Sequence, residues 1–219
     1  MTGGRDVNDS WHDRLMARPR GYDREAVLVA ARDLFWERGY DATSITDLEQ
    51  HTGLNRSSLY QEFGSKDGLF EAALACYADQ VVARLFDPVR SPGAGLAEVA
   101  QLFTRLGGLL RCDPATYGRG CLLVNTGTEL STVPPAARQA VTAYRDRVRA
   151  DFLAALARSA ARGETDPAAV WSRSHLLTST LMGIWLHARI DPADAADLCD
   201  MLTHDISAWR LDAGPTASS

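Results

Sequence analysis

The residues with the clearest chemical potential lie in one short polar stretch, and all of them carry hydrogen-bond donors. Arg56 can donate two hydrogen bonds to one guanine, and Ser57 can bond to several bases. The remaining donors suit phosphate oxygens. This chemistry indicates a DNA-binding surface, and the alternative is a small helix with ordinary solvated side chains. The predicted contacts are Thr43, Ser44, Arg56, Ser57, Ser58, Tyr60 and Lys66.

Two short helices around a tight turn would hold these donors in place. A helix that starts near Ile45, after capping residues, is interrupted by Gly53. The next helix can turn Leu59 and Phe63 inward, which leaves the polar residues outside. Lys66 then falls in the first turn of a longer helix, where backbone amides attract anions. This arrangement predicts a helix-turn-helix, in which one helix crosses the DNA backbone and the second enters the major groove.

The periodicity of the whole chain predicts an all-α fold. Proline and glycine at 88, 92, 93 and 95 indicate a linker after the long helix. Helical periodicity then returns over 95–111, 121–130, 135–162, 167–189 and 193–210. The expected divisions are a flexible arm (1–19), a DNA-binding domain (20–66), an effector and dimerisation domain (67–211) and a disordered tail (212–219).

Composition narrows the class of protein. The chain has 219 residues, 46% of them hydrophobic and 23% charged, which is typical of a globular protein. It contains neither an apolar run long enough to span a bilayer nor a secretory leader, so we expect a cytoplasmic protein with no membrane partner. Motifs for a nucleophile, a phosphate loop or a metal are absent from the sequence, so we expect no enzyme activity and no cofactor.

The stretch from Tyr22 to Phe70 resembles the DNA-binding domain of the TetR family. The resemblance rests on AARDLFWERGYDATSI and on TGLNRSSLYQEFGSKDGLF, with Leu59-Tyr60, Phe63 and Lys66 as its most specific parts. It implies a regulator, usually a repressor, that binds palindromic operator DNA as a homodimer and is released by an inducer. The alternative is a DNA-binding regulator with no small-molecule inducer. Two departures are Thr52 and Glu62, where the family often has alanine and histidine.

Charge is the main objection to this interpretation. The net charge is −5, and residues 18–66 hold seven basic and eight acidic side chains. Affinity depends on which charges face the phosphates, and Arg18, Arg20, Arg56 and Lys66 could share one surface. We therefore expect few phosphate contacts and a salt dependence shallower than a log–log slope of about −8.

The last two helices are the predicted dimer interface. The segment 167–189 is apolar around most of its circumference, which is typical of a helix buried on two sides. The final segment carries a second apolar stripe that ends near Trp209. Two such helices from each subunit would form a four-helix interface, as the family resemblance implies. The alternative is that both helices belong to the core of a monomer.

Cys121 is the residue with potential for covalent chemistry. Its Gly-Cys-Leu context resembles a subgroup of the TetR family that includes repressors of electrophile and oxidant responses. A position in the first turn of a helix, with Arg119 nearby, would lower the pKa of the thiol and favour the reactive thiolate. The alternative is a small buried residue in a tight packing position.

A small apolar or aromatic inducer is the other possibility for the effector domain. The candidate contacts are aromatic or polar side chains that could equally be core residues. Three C-terminal histidines show no metal spacing, so no metal site is expected. With Cys121, the predicted effector-binding set is Phe103, Cys121, Tyr144, Phe152, Trp171, His175 and Trp185.

Overall fold

The computed structural model describes residues 22–211, and over this range the chain is helical with no strand. The all-α fold expected from the sequence is confirmed. The expected arm at 1–19 and tail at 212–219 lie outside the described residues, as do Arg18 and Arg20.

Three helices, each capped by the side chain of the residue that precedes it, form the N-terminal head. Each begins where a polar side chain accepts a hydrogen bond from the first-turn backbone: Asp23, Ser44 and Asn55 are these caps. Because such caps are encoded within a few residues, the sequence defines the boundaries locally. The helices are α1 (Arg24–Arg38), α2 (Ile45–Thr52) and α3 (Arg56–Phe63).

A long helical segment leads out of the head. It begins with α4 (Lys66–Tyr77), capped by Ser65, continues through a π-helical turn (Ala78–Val82) and ends with α5 (Ala83–Arg90). The predicted linker therefore starts too early, because Pro88 lies inside α5. Proline lacks the backbone N–H that would bond to the carbonyl of Arg84, but that carbonyl accepts from Arg105 instead, and the helix continues for only two more residues.

The remaining helices form the larger C-terminal body. They are α6 (Leu96–Cys112), α7 (Pro114–Tyr117), α8 (Leu122–Thr128), α9 (Pro135–Ala161), α10 (Val170–His187) and α11 (Pro192–Ala208), with a 3-10 turn at Pro167–Ala169. The predicted segments match these closely, except that α7 was not expected. Proline at the start of α7, α9 and α11 is favourable, since the first N–H groups of a helix have no partner inside it.

Helix α11 packs along α6, and α10 packs along α9. The approach of α6 and α11 is close at Gly107, where a Cβ atom would lie 3.1 Å from the Cβ of Cys199. On the outer side, Arg111 of α6 donates to Asp197 and Asp200 of α11 at 2.8 and 2.6 Å. Within 22–211 no helix combines the length and the apolar character needed to cross a membrane.

The outer face of α10 carries an exposed stripe of apolar and small residues. Leu176 and Leu186 on this face are 54% and 39% exposed, and Ile190, in the turn just after α10, is 82% exposed. The full stripe has spacings of four and three residues in alternation, the period of a coiled-coil seam. Its members are Ser172, Leu176, Ser179, Gly183, Leu186 and Ile190.

Candidate DNA-binding surface and effector cavity

The turn between α2 and α3 has the geometry of a helix-turn-helix. Gly53 ends α2 in the left-handed region with φ of 73°, and its N–H donates to the carbonyl of Glu49. Only glycine adopts this conformation without strain. Leu59 of α3 is buried, while Leu54 and Phe63 pack against the same core. The inward face expected from the sequence is therefore present.

The opposite face of α3 presents the predicted donors. Arg56 and Ser57 are exposed, and Ser58 and Tyr60 are half-buried. The guanidinium of Arg56 lies 5.2 Å from the centre of the Tyr60 ring. This contact orients Arg56 without using its N–H donors in an ion pair. The free donors remain able to meet a base or a phosphate.

Lys66 lies beside this surface in the first turn of α4. Its ammonium is 4.1 Å from the centre of the Tyr40 ring, and partial burial lowers the pKa of Lys66. The Tyr40 hydroxyl donates to Asp67 at 2.5 Å, and burial together with this bond raises the pKa of Tyr40 to about 12. Tyr40 therefore stays neutral and holds Lys66 by a cation–π contact.

Two hydroxyls predicted to contact DNA are engaged within the head. Thr43 is fully buried and donates to the carbonyl of Gly39 at 2.7 Å, so it closes the turn before α2 and does not reach the surface. Ser44 is exposed, but it caps α2 in a reciprocal pair with Asp47. The sequence pattern did not distinguish capping hydroxyls from surface donors, because the same residue types serve both.

The acidic residues of the helix-turn-helix are also engaged. Glu62 of α3 accepts from the Tyr22 hydroxyl at 2.8 Å and from Arg24 at 2.6 Å. Glu49 of α2 accepts from the backbone N–H of Arg56 at 2.5 Å. Both carboxylates are therefore held by local partners, Glu62 in an ion pair and Glu49 against the backbone of Arg56.

Sequence comparisons agree with this geometry. The family of bacterial regulatory proteins of the tetR type matches residues 27–73. The HTH-type transcriptional repressor ComR of Escherichia coli (strain K12) is 35% identical over 186 residues, which cover 78% of this chain and 82% of ComR. The chain belongs to the TetR family.

Further relatives support the same conclusion. The HTH-type transcriptional repressor AcnR of Corynebacterium efficiens is 27% identical over 179 residues, 82% of this chain and 88% of AcnR. Among solved structures, a cysteine mutant of the TetR family regulator CifR, complexed with 26 bp operator DNA, superimposes with a TM-score of 0.70. It is 28% identical and covers 88% of this chain and 99% of its own. The present chain is thus a TetR family regulator with a DNA-binding helix-turn-helix.

The C-terminal body of this TetR family protein contains a cavity of about 230 Å³ between α4, α5, α6 and the segment before α8. Three of the residues predicted to bind an effector line it: Cys121, Tyr144 and Trp185. The structure also brings Tyr77 and Tyr117 to the wall. Polar and aromatic groups from distant parts of the chain therefore meet around one partly open cavity.

The other four predicted effector residues lie elsewhere. Phe103 and Phe152 are fully buried and stack on each other with ring centres 6.0 Å apart, as part of the hydrophobic core. Trp171 is 66% exposed and lies 4.0 Å from the His175 ring at the start of α10, outside the cavity. In this conformation Phe103 and Phe152 are core residues, and Trp171 and His175 lie at the surface outside the cavity.

Cys121 caps α8 but lacks the environment of a reactive thiolate. It is fully buried, and burial raises the pKa of its thiol in spite of nearby backbone N–H groups. Its sulfur lies 3.8 Å from the Tyr144 hydroxyl. The expected help from Arg119 is not present, because that guanidinium lies over the Trp36 ring at 4.2 Å. The prediction of a lowered pKa is therefore wrong for this structure.

One turn joins the cavity to the DNA-binding head. The carbonyl of Gly120 accepts a hydrogen bond from the Trp36 indole N–H of α1 at 2.9 Å. Trp36 also packs edge-on against Tyr77, with ring centres 4.9 Å apart. Cys121 and Tyr77 line the cavity, so the same few residues contact both the cavity and the head.

A second link lies nearby. Glu129, just after α8, accepts a hydrogen bond from the backbone N–H of Tyr40 at 3.2 Å. Sequence reasoning missed Trp36, Tyr77 and these contacts, although Gly120 in the Gly-Cys-Leu motif marked the turn. Within the described residues no three His, Cys, Asp or Glu side chains group as a metal site.

Proposed function

We propose that this protein is a homodimeric transcriptional repressor that binds a palindromic operator through α3 and leaves it when a small molecule occupies the cavity beside Cys121. The observation that carries the DNA-binding part is the exposed face of α3. There Arg56 and Ser57 are free to meet base edges while nearby carboxylates are engaged within the head.

Residue roles on DNA follow from geometry. Arg56 and Ser57 are at the N-terminal end of α3, the end that contacts bases in a helix-turn-helix. We assign Ser58, Tyr60 and Lys66 to phosphates because their donors lie on or beside α3 at the surface, and Ser44 mainly to the cap of α2. Phosphate contacts fix the position of the protein, while base contacts give sequence preference.

The homodimer interface is proposed on the exposed stripe of α10, together with the outer face of α11. A stripe with alternating spacings of four and three residues fits knobs-into-holes packing against a second copy. Met201 of α11 adds a large exposed apolar side chain. A two-fold dimer would place two recognition helices on successive half-sites, which a monomer cannot do.

Release of DNA is proposed to pass through the turn at Gly120. A molecule that displaces Tyr77 or Cys121 would disturb the contacts with Trp36, and hence the position of α1. The buried thiol and its raised pKa favour an inducer that binds without covalent attachment over one that alkylates or oxidises Cys121. A regulator with no inducer would show no response to any occupant of the cavity.

The decisive experiment uses DNA selected by the full chain from a random-sequence pool. Arg56→Ala should weaken binding to the selected sequence by about 1–3 kcal/mol and relax preference at one position per half-site. Arg138→Ala, a change at an exposed position on α9, is the control and should leave affinity unchanged. If Arg56→Ala binds like the unmodified chain, α3 is not the recognition helix.

A further inference from the structure

The charge of the effector cavity is unusual for an acidic protein. Twelve residues line it, and none is aspartate or glutamate. Two of the twelve are arginines, Arg84 on α5 and Arg105 on α6. The chain carries a net charge of −5, so an acid-free wall with two cations contrasts with the molecule as a whole.

Neither arginine is neutralised by a carboxylate. Arg105 donates to the backbone carbonyl of Arg84 at 3.1 Å, which holds its guanidinium near α5. Among the ion pairs within 22–211, none includes Arg84 or Arg105. Both side chains therefore keep donors available for an anion.

An unpartnered donor lies in the same wall. Trp185 is buried, and its indole N–H has no hydrogen-bond partner among the described residues. An indole can only donate, and a buried indole without an acceptor is unfavourable; the Trp185 nitrogen is closed to solvent in this conformation, so an acceptor reaches it when a ligand moves the wall. Tyr77, Tyr117 and Tyr144 add hydroxyls to the cavity wall. Arg84, Arg105 and Trp185 can only donate, whereas the tyrosine hydroxyls can donate or accept, so the wall can meet a ligand rich in acceptors.

The volume limits the size of that ligand. A cavity of about 150 Å³ holds one benzene molecule, and drug-sized ligands occupy roughly 300 Å³ or more. At about 230 Å³, this cavity fits one substituted ring. The aromatic and aliphatic part of the wall, including Leu85 and Leu109, suits the faces of such a ring.

We infer that the cavity binds a small aromatic carboxylate, with the charged group toward Arg84 and Arg105 and the ring between the tyrosines and Trp185. This inference rests on the proposed function in taking the cavity as the effector site, and it adds the chemical class of the effector. No covalent bond to Cys121 is involved.

The test compares two probes that differ in charge and share their shape. Binding of 4-hydroxybenzoate and of its neutral isostere 4-hydroxybenzamide to the full chain is measured by calorimetry in the absence of DNA. A ligand of this size is expected to bind with a Kd on the order of 1 mM or tighter. The carboxylate should bind at least about tenfold more tightly than the amide, because charge-assisted hydrogen bonds are the stronger ones.

Two matched variants locate the charge recognition. Replacing both cavity arginines, Arg84→Gln with Arg105→Gln, should reduce the preference for the carboxylate to about threefold or less. Arg138→Gln, an exposed arginine away from the cavity, should leave the preference unchanged. Trp185→Phe keeps the ring and removes the indole N–H, and it should weaken both probes by about fivefold. Because Arg84 and Arg105 are exposed, their replacement should not prevent folding, which a thermal unfolding curve checks.

The outcomes that overturn the inference are distinct from those that overturn the proposed function. Three results each contradict an anion site. The two probes bind equally, or neither binds at about 10 mM, which is well above the expected Kd. The third is a preference for the carboxylate that survives in the double arginine variant. Carboxylate binding that leaves operator affinity unchanged supports the anion site and contradicts release through this cavity. Release of DNA by neutral compounds alone would support release through this cavity and contradict the anion site.

Discussion

The proposed recognition surface on α3 and the proposed anion site in the cavity both carry arginines, but they are built differently. In the head, carboxylates lie close by, and those of α2 and α3 are engaged by local partners, as Glu62 is by Arg24. In the cavity, acids are left out of the wall altogether. The head is assembled from contacts within some forty residues, whereas the cavity wall draws on residues from Tyr77 to Trp185.

This difference shows why net charge is a poor guide to anion binding in this protein. A total of −5 coexists with an exposed Arg56 on α3 and with two exposed arginines, Arg84 and Arg105, in the cavity wall. What matters is which charges are engaged and which face the ligand, since interactions between distant exposed charges are screened by salt. Each of the following changes tests one part of the comparison.

The largest effect on DNA binding should come from disrupting the proposed dimer, because a monomer carries only one α3. Leu186→Arg places a charge in the proposed interface and should weaken the dimer by about 3–5 kcal/mol, because a buried charge without a partner is costly. Sedimentation should then show a monomer, and binding to the selected DNA should be lost. Leu153→Arg, at an exposed leucine of α9, is the control and should remain dimeric. A dimeric Leu186→Arg variant would place the interface elsewhere.

The next largest effect concerns the turn that joins the cavity to the head. Gly120 has φ of 76°, and a Cβ there would lie 2.7 Å from the carbonyl oxygen of Trp185. Gly120→Ala should therefore lower the free energy of unfolding by about 2–4 kcal/mol. Gly163 has φ of 74° with open space around it, so Gly163→Ala should cost only about 1–2 kcal/mol.

Denaturant unfolding of both variants separates backbone strain from the close contact. Equal losses of unfolding free energy in the two variants would mean that the packing around Gly120 relaxes freely. The turn at Gly120 would then not join the cavity rigidly to the head.

A smaller effect is expected at the edge of the recognition surface. Lys66→Met should weaken binding to every DNA sequence alike, by about fivefold, and should reduce the log–log salt slope by about 1. The slope of the unmodified chain should be shallower than about −8. Titrations over a range of salt concentrations measure both quantities. A loss confined to one sequence would assign Lys66 to a base instead of a phosphate.

The smallest expected effect is the labelling of Cys121 by thiol reagents. Burial raises the pKa of this thiol, so its thiolate fraction at neutral pH is below that of an ordinary cysteine. Labelling should be slow at neutral pH and should increase only as the pH rises above the ordinary thiol value. Mass spectrometry can compare Cys121 with the exposed Cys112 in the same sample. Labelling of Cys121 ahead of Cys112 would restore the covalent inducer.

The sequence predicted the head more completely than the cavity, for a physical reason. Caps such as Ser44 and Asn55 and the turn at Gly53 act within four residues, so local patterns define them. Whether Thr43 faces DNA or the core depends on the path of the chain, and the pattern did not show it.

The cavity depends on contacts far apart in sequence. Aromatic character suggested Phe103 and Trp185 equally, yet the first stacks in the core and the second lines the wall. The sequence did not predict a role for Arg84 and Arg105, because isolated arginines on helices are usually solvated. The division of domains at residue 66 also stays a prediction, since α4 packs on both α1 and α9.

The pairing of α6 with α11 has a consequence for biosynthesis. Arg111 and its partner Asp197 are 86 residues apart, so the ribosome must add most of the C-terminal body before this pair can form. Helices α1 to α3 pack on one another and on α4, so they can begin to assemble earlier, and only the bonds of Trp36 and Tyr40 to Gly120 and Glu129 wait for α8. A nascent chain would hold a folded recognition helix well before it could form a ligand cavity or a partner-binding face. Stalled or truncated products would then bind DNA only weakly and without response to an inducer.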